Sequence, residues 1–335
     1  MRRPGLGLAT GLGLAVLGYG LLVGRAKRTL VADPPPRELE AALQSWLAEV
    51  GLKATHRYVH TSFGRVHVLM AGEGPQFVIV LPGLGASAGE FAELLARLGR
   101  QHRVAAIDLP GCGLSDPVSF QGHPRQAWNE VVTAVADQLG VSEFILAGHS
   151  LGGLAAGGFA IANPGRVSQL VLISPLGFTR RVPLLWNFAM VPGVMDLRGL
   201  YERVLMVRQL GHDREPSHGG GDREDSETAW DRYRRLVGLR FGHGSDLDLI
   251  GRLLQPCGLR PESQLLPALG LIAGRTLVLW GGHDRRLSLQ DAGSELRYFK
   301  ELRVEVVPGA GHLLPVVEPH LTARLITDFL EDFTR

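Results

Sequence analysis

The sequence predicts an α/β domain, a mostly parallel central sheet flanked by helices, with an inserted helical cap and an N-terminal transmembrane helix. Three observations predict it. Short β-rich runs alternate with helical patterns over residues 56–176 and again over 275–335. Several of those runs are continuously apolar, as strands covered on both faces of a parallel sheet are. The alternation stops between residues 177 and 274, and residues 4–24 carry no charge at all.

Composition narrows the class. The chain has 335 residues, 45% hydrophobic and 20% charged, enough apolar material for one large domain or a domain with an insertion, and far from a disordered or fibrous balance. Lys plus Arg number 35 against 33 Asp plus Glu, a net charge of +2, so no single-sign field argues for nucleic acid as a partner. Cys112 and Cys257 cannot make a disulfide framework, and no Cys/His cluster marks a metal site. His56 and His60 stand four residues apart but lack a third ligand nearby.

Taken in chain order, the 21-residue run 4–24 would span about 31 Å as a helix, close to the hydrocarbon thickness of a bilayer. Arg2 and Arg3 precede it and Arg25, Lys27 and Arg28 follow. It is longer than a signal-peptide core and no A-x-A site closes it, so residues 1–30 are expected to form a single-pass membrane anchor of undetermined orientation; a cleaved secretion signal is the alternative. Asp33 and the prolines 34–36 stop any helix. Residues 31–55 form a linker with a short amphipathic helix, Leu39, Leu43, Trp46, Leu47 and Val50 falling at helical spacing. The N-terminal segment of the core, 56–176, carries strand patterns at 66–70, 77–81, 104–107, 144–147 and 170–173, with helical patterns at 91–98, 128–139 and 151–162. The cap, 177–274, is apolar at Leu184, Trp186, Phe188 and Met190, and polar and Gly-rich over 211–227. Emerging after the 170–173 strand, it would cover the crevice where open α/β sheets bind ligands. The C-terminal segment of the core, 275–335, adds strands at 276–280 and 302–307 and a last helix.

The strongest chemical signal is Gly148-His149-Ser150-Leu151-Gly152, a G-x-S-x-G placed between a strand and a helical run. A nucleophile on so sharp a turn needs small neighbours for the turn to close, and the following helix aims its first amides at a developing oxyanion. Ser150 is therefore the expected nucleophile. A serine hydroxyl needs a base, and the base a third group to orient it. Asp284 follows the 276–280 strand and His312 follows the 302–307 strand, which makes them the expected acid and base in the order Ser, acid, His. Asp291 is a possible second acid. His149 is expected to pack, because adjacent side chains on a tight turn point apart. His283 and His320 are less well placed, and His212, His218 and His243 read as solvated loop residues. The oxyanion hole is expected from the Leu151 amide and from the Leu84 amide in the Pro82-Gly83-Leu84-Gly85 loop; the alternative is that these glycines only shape a turn.

These residues resemble the α/β-hydrolase superfamily over about 56–175 and 275–335. The resemblance rests on the ordered set 63–67, Pro82-Gly83, Asp108-Leu109-Pro110-Gly111-Cys112-Gly113-Leu114-Ser115, Gly148–Gly152, Asp284, His312 and Glu318-Pro319. Pro82 stands where many relatives have His. Ser150 departs from the Asp nucleophile of dehalogenases and epoxide hydrolases of this fold. The anchored N-terminus is shared with some membrane-bound monoacylglycerol-lipase-like members. The resemblance implies a serine hydrolase of small-molecule acyl esters that needs no cofactor. The apolar first part of the cap and the anchor point to a hydrophobic ester, the alternative being that the cap is apolar only to pack on the sheet domain. An acyltransferase, a thioesterase, a C–C bond hydrolase, a cofactor-free haloperoxidase and a non-catalytic, partner-binding member remain alternatives.

Overall fold

The computed structural model describes residues 37–332 except 85, 117–123, 179–230, 234, 237–238, 240–264 and 294–295. Eight strands form one sheet in the order β1-β2-β4-β3-β5-β6-β7-β8. They are β1 (Thr55–Thr61), β2 (Gly64–Ala71), β3 (Phe77–Leu81), β4 (Arg103–Ile107), β5 (Phe144–His149), β6 (Val167–Ile173), β7 (Arg275–Gly281) and β8 (Leu302–Val307). From β4 through β8 every pairing is parallel, while β1–β2 and β2–β4 are antiparallel. The predicted strands are all present. The structure adds β1, whose exposed, polar alternation (THRYVHT) hides it from a search for apolar runs.

Helices cover both faces of the sheet: α1 (Arg37–Glu49), α2 (Ala92–Leu98), α3 (Pro124–Gln138), α4 (Leu151–Ala162) and α5 (Pro319–Glu331). Side chains alternate across the sheet, so each strand feeds two cores. Val78 and Val80 of β3 join α1, α2 and α5 on one face; Phe77, Ile79 and Leu81 join α3 and α4 on the other. The amphipathic segment before the sheet belongs to the body. Leu39, Leu43, Trp46 and Leu47 are buried, and Leu43 sits so close to Gly89 that a Cβ there would lie 2.1 Å from its Cδ1.

Among the described residues no helix is long and apolar enough to cross a membrane. The anchor expected at 1–30 lies outside the described residues, as does most of the cap expected at 177–274. Those residues of the insertion that are described pack onto the sheet domain: Tyr233 and Leu236 in the α1–α2 core, Leu265 and Leu269 in the α3–α4 core.

Candidate active site

Strand β5 ends in the tight turn that carries Ser150. Its backbone lies at φ 53°, ψ −114°, a left-handed region that costs a non-glycine residue of order 1–3 kcal/mol. The strain is held by three backbone hydrogen bonds. The Ser150 amide donates to Ile173 (3.0 Å), and the Ser150 carbonyl accepts from Leu154 (3.2 Å) and Leu176 (2.9 Å). The flanking glycines are needed for close contact. A Cβ on Gly148 would meet the Gly152 carbonyl oxygen at 2.2 Å, and one on Gly152 would meet the Leu81 carbonyl oxygen at 2.1 Å.

Two further loops converge on this turn. After β7, Asp284 is 7% exposed, and its Oδ1 accepts the amides of Arg286 and Leu287, both at 2.9 Å. After β8, His312 is 2% exposed. Its Nδ1 lies 2.8 Å from Asp284 Oδ2 and its Nε2 lies 3.0 Å from Ser150 Oγ. The acid and histidine loops are laced together: His283 donates its amide to Ala310 (2.9 Å) and Gly282 donates to Val307 (2.9 Å). Burial pulls the Asp284 carboxyl upward. The charge of His312, its hydrogen bond and the two backbone amides outweigh burial and hold the carboxyl below its ordinary value. An ionised Asp284 keeps His312 in the tautomer whose free Nε2 can take a proton from Ser150.

Leu151, the first residue of α4, is buried directly after Ser150. Leu84 is half-buried and packs against both cores. Its loop lies against the serine: a Cβ on Gly83 would be 3.4 Å from Ser150 Cβ. His283 is exposed. His320 is also exposed and pairs with Arg97. Asp291 is on a single helical turn, Leu289–Ala292, and His212, His218 and His243 lie outside the described residues. Among the described residues no group of three His, Cys, Asp or Glu side chains is placed to hold a metal ion.

His149 does more than the packing expected of it. Its ring is buried in a T-shaped contact with Phe91, and its Nε2 donates to the His312 carbonyl oxygen at 2.9 Å. A second buried pair is invisible to spacing arguments altogether. His67 and Asp108 are fully buried with Nδ1 and Oδ2 2.7 Å apart, and His67 Nε2 meets His56 Nδ1 at 2.9 Å. The Asp108 carboxylate also accepts the amides of Ala88 and, at 2.8 Å, Leu114, so it ties together the loops after β3 and β4. The sequence signal for it is the residues 63–67 and 108–115, whose resemblance carries no geometry.

Comparison with known proteins agrees with this architecture. The profile of the alpha/beta hydrolase family matches residues 78–325. A 2-hydroxy-6-oxononadienedioate/2-hydroxy-6-oxononatrienedioate hydrolase of Cupriavidus pinatubonensis is 27% identical over 292 residues, covering 82% of this chain and 95% of its own. Among solved structures, a membrane phospholipase A described as a bacterial virulence factor superposes with a TM-score of 0.68 at 23% identity, covering 97% of this chain and 99% of its own. A carboxylesterase from Bacillus subtilis gives 0.68 at 23% identity, covering 88% and 97%. With the serine elbow, the strand order and a family match over most of its length, the chain belongs to the alpha/beta hydrolase family.

Proposed function

We propose that the protein is a serine hydrolase that cleaves acyl compounds, with carboxylic esters as the leading substrate class. The observation that carries this reading is the continuous hydrogen-bonded chain from Ser150 through His312 to Asp284, assembled from loops after three different strands. In the proposed reaction His312 Nε2 takes the Ser150 proton as Oγ attacks the substrate carbonyl. The Leu84 and Leu151 amides hold the oxyanion, and His312 returns the proton to the departing alcohol. Water, activated by the same histidine, then cleaves the acyl-enzyme and regenerates Ser150. Asp284 stabilises the imidazolium formed in each half-reaction. The apolar residues Leu184, Trp186, Phe188 and Met190 and the uncharged run 4–24 support a lipophilic ester presented near a membrane, with the catalytic domain held there by an N-terminal anchor.

A second reading, hydrolysis of a carbon–carbon bond in a 2-hydroxy-6-oxo-dienoate, is favoured by one observation, the likeness to the Cupriavidus dioate hydrolase. The two readings share the nucleophile and separate by substrate. A fluorophosphonate probe should label the wild-type chain and not Ser150→Ala. A series of p-nitrophenyl esters of increasing acyl length should be turned over by the wild type alone. Labelling without ester turnover, together with bleaching of a 2-hydroxy-6-oxo-dienoate chromophore, would move the assignment to C–C hydrolysis. A folded wild type that neither labels nor turns over either class would remove the serine-hydrolase reading.

A further inference from the structure

The sheet does not by itself place His312 beside Ser150. Strands β5 and β8 are separated by β6 and β7, three strand spacings or about 14 Å. The loop after β8 must therefore lean back over the ends of two strands to bring its imidazole to the serine. Asp284 holds the far side of that ring, but a ring held only at its tip can still swing with its backbone. The main-chain carbonyl of His312 is the handle that would stop this, and it is occupied by the residue next to the nucleophile.

We propose that His149 is a positioning residue for the proposed serine-hydrolase reaction: through its Nε2–H it ties the backbone of the base to the nucleophile's own turn. The inference rests on the proposed function and adds to it a residue whose role is neither nucleophilic nor proton-transferring. Four features of the site support it. The bond is direct, 2.9 Å between side chain and carbonyl, and links positions 163 residues apart. Its donor has one possible source: a carbonyl oxygen only accepts, so Nε2 carries the hydrogen and Nδ1 carries a lone pair. That Nδ1 is buried with no partner among the described residues, facing the place where a Cβ on Gly83 would come within 3.1 Å. One ring nitrogen is thus left unpaired while the other serves His312. The ring itself is wedged between the Phe91 ring, perpendicular to it at a centroid distance of 5.9 Å, and the His312 ring, at a centroid distance of 5.0 Å, which fixes its direction.

The electrostatics keep the tie in one form. Burial, followed by the neighbouring charge of His312, pushes His149 down to about 3. It therefore stays neutral at neutral pH and does not compete with His312 for the Ser150 proton.

The test uses three substitutions in the full-length chain. Gln places an amide N–H where Nε2 was, Asn places its amide near the Nδ1 position, and Leu fills similar volume without a donor. Thermal melts establish folding, p-nitrophenyl ester kinetics give kcat and KM separately, and fluorophosphonate labelling rates report nucleophile activation without substrate turnover. The expected result is that His149→Gln retains kcat within about 3-fold, while His149→Leu and His149→Asn lose about 10- to 100-fold in kcat and in labelling rate with KM unchanged. Wild-type kcat in His149→Leu would overturn the inference, and so would equal losses in Gln and Asn. Failure of all three variants to fold would also overturn it, because the residue would then be a packing element. A wild type that is itself inert toward probe and esters would instead point to failure of the parent reading, which distinguishes the two.

Discussion

Buried ionisable groups outside the catalytic chain show how much single residues carry. Glu90 lies in the 3-10 turn Ala88–Phe91, 4% exposed, with its Oε1 accepting the Ser87 amide at 3.1 Å. Burial pushes its carboxyl up to about 8; the Ser87 bond opposes this and nearby Asp108 adds to it. Between the ordinary value of 4.5 and about 8 the folded protein therefore keeps a proton that the unfolded chain has released. Stability must fall as pH rises through that window, by about 1.4 kcal/mol per unit at most. Glu90→Gln retains an oxygen for the Ser87 amide and removes the titration. Its melting temperature should exceed that of the wild type at pH 8, with the gap closing toward pH 5; a gap independent of pH would contradict the assignment. None of this is legible in the sequence, where Ser87 and Glu90 at i, i+3 read equally well as a solvated helix start. Ser150 is the opposite case, because its glycines announce it as a candidate nucleophile.

At the level of elements, the elbow is a packing problem between β3, β5 and α4. The first turn of α4 approaches β3 so closely that a methyl on Gly152 would meet two backbone oxygens, of Leu81 at 2.1 Å and Pro82 at 2.4 Å. Backbone cannot rotate away as a side chain can, so Gly152→Ala must push α4 off β3 and off the loop that carries Leu84. The expected cost is about 1–3 kcal/mol of stability. Ester turnover should fall more than tenfold, since the displaced amide of Leu151 is one of the two proposed oxyanion donors. Gly165→Ala is the matched control: a Cβ there meets nothing within 4 Å, and neither melting temperature nor turnover should change appreciably. Calorimetry and initial rates on the two variants decide this. A small residue at position 152 is expected from the strand–turn–helix order, which the sequence displays, but the clash with β3 depends on which strand lies beside β5. That neighbour is set by crossover topology.

For the whole molecule, the question is how the N-terminal region relates to the catalytic body. Helix α1 is held to that body by its buried face and by Arg232, which bonds Glu49 of α1 at 2.8 Å and Glu93 of α2 at 3.1 Å. These ion pairs are partly exposed and contribute about 1 kcal/mol or less each. Buried Leu39, Leu43, Trp46 and Leu47 supply more, at roughly 1.5–3 kcal/mol per large side chain. With α1 beginning at Arg37, about a dozen residues separate it from the uncharged run, a reach of about 40 Å at full extension. An anchor at 4–24 would therefore hold the start of α1 within about 40 Å of the bilayer. On this proposal the full-length chain should remain in the membrane pellet after alkaline carbonate extraction, with an intact N-terminus by mass spectrometry. Recovery in the supernatant with a chain beginning after residue 24 would favour a cleaved signal.

Consecutive residues suffice to establish the parallel core, its strands and helices, and the three residues Ser150, Asp284 and His312 as candidates. They suffice because apolar runs, glycine-bounded turns and strand-end positions are local properties of the chain. What meets across strands is a matter for the folded molecule. Folding places β1 on β2, sets His312 within 3.0 Å of Ser150, turns His149 toward the His312 carbonyl, and buries Glu90 and the His67–Asp108 pair. Those outcomes depend on strand order, loop direction and desolvation, which join residues up to 163 positions apart and leave no periodic trace in the chain.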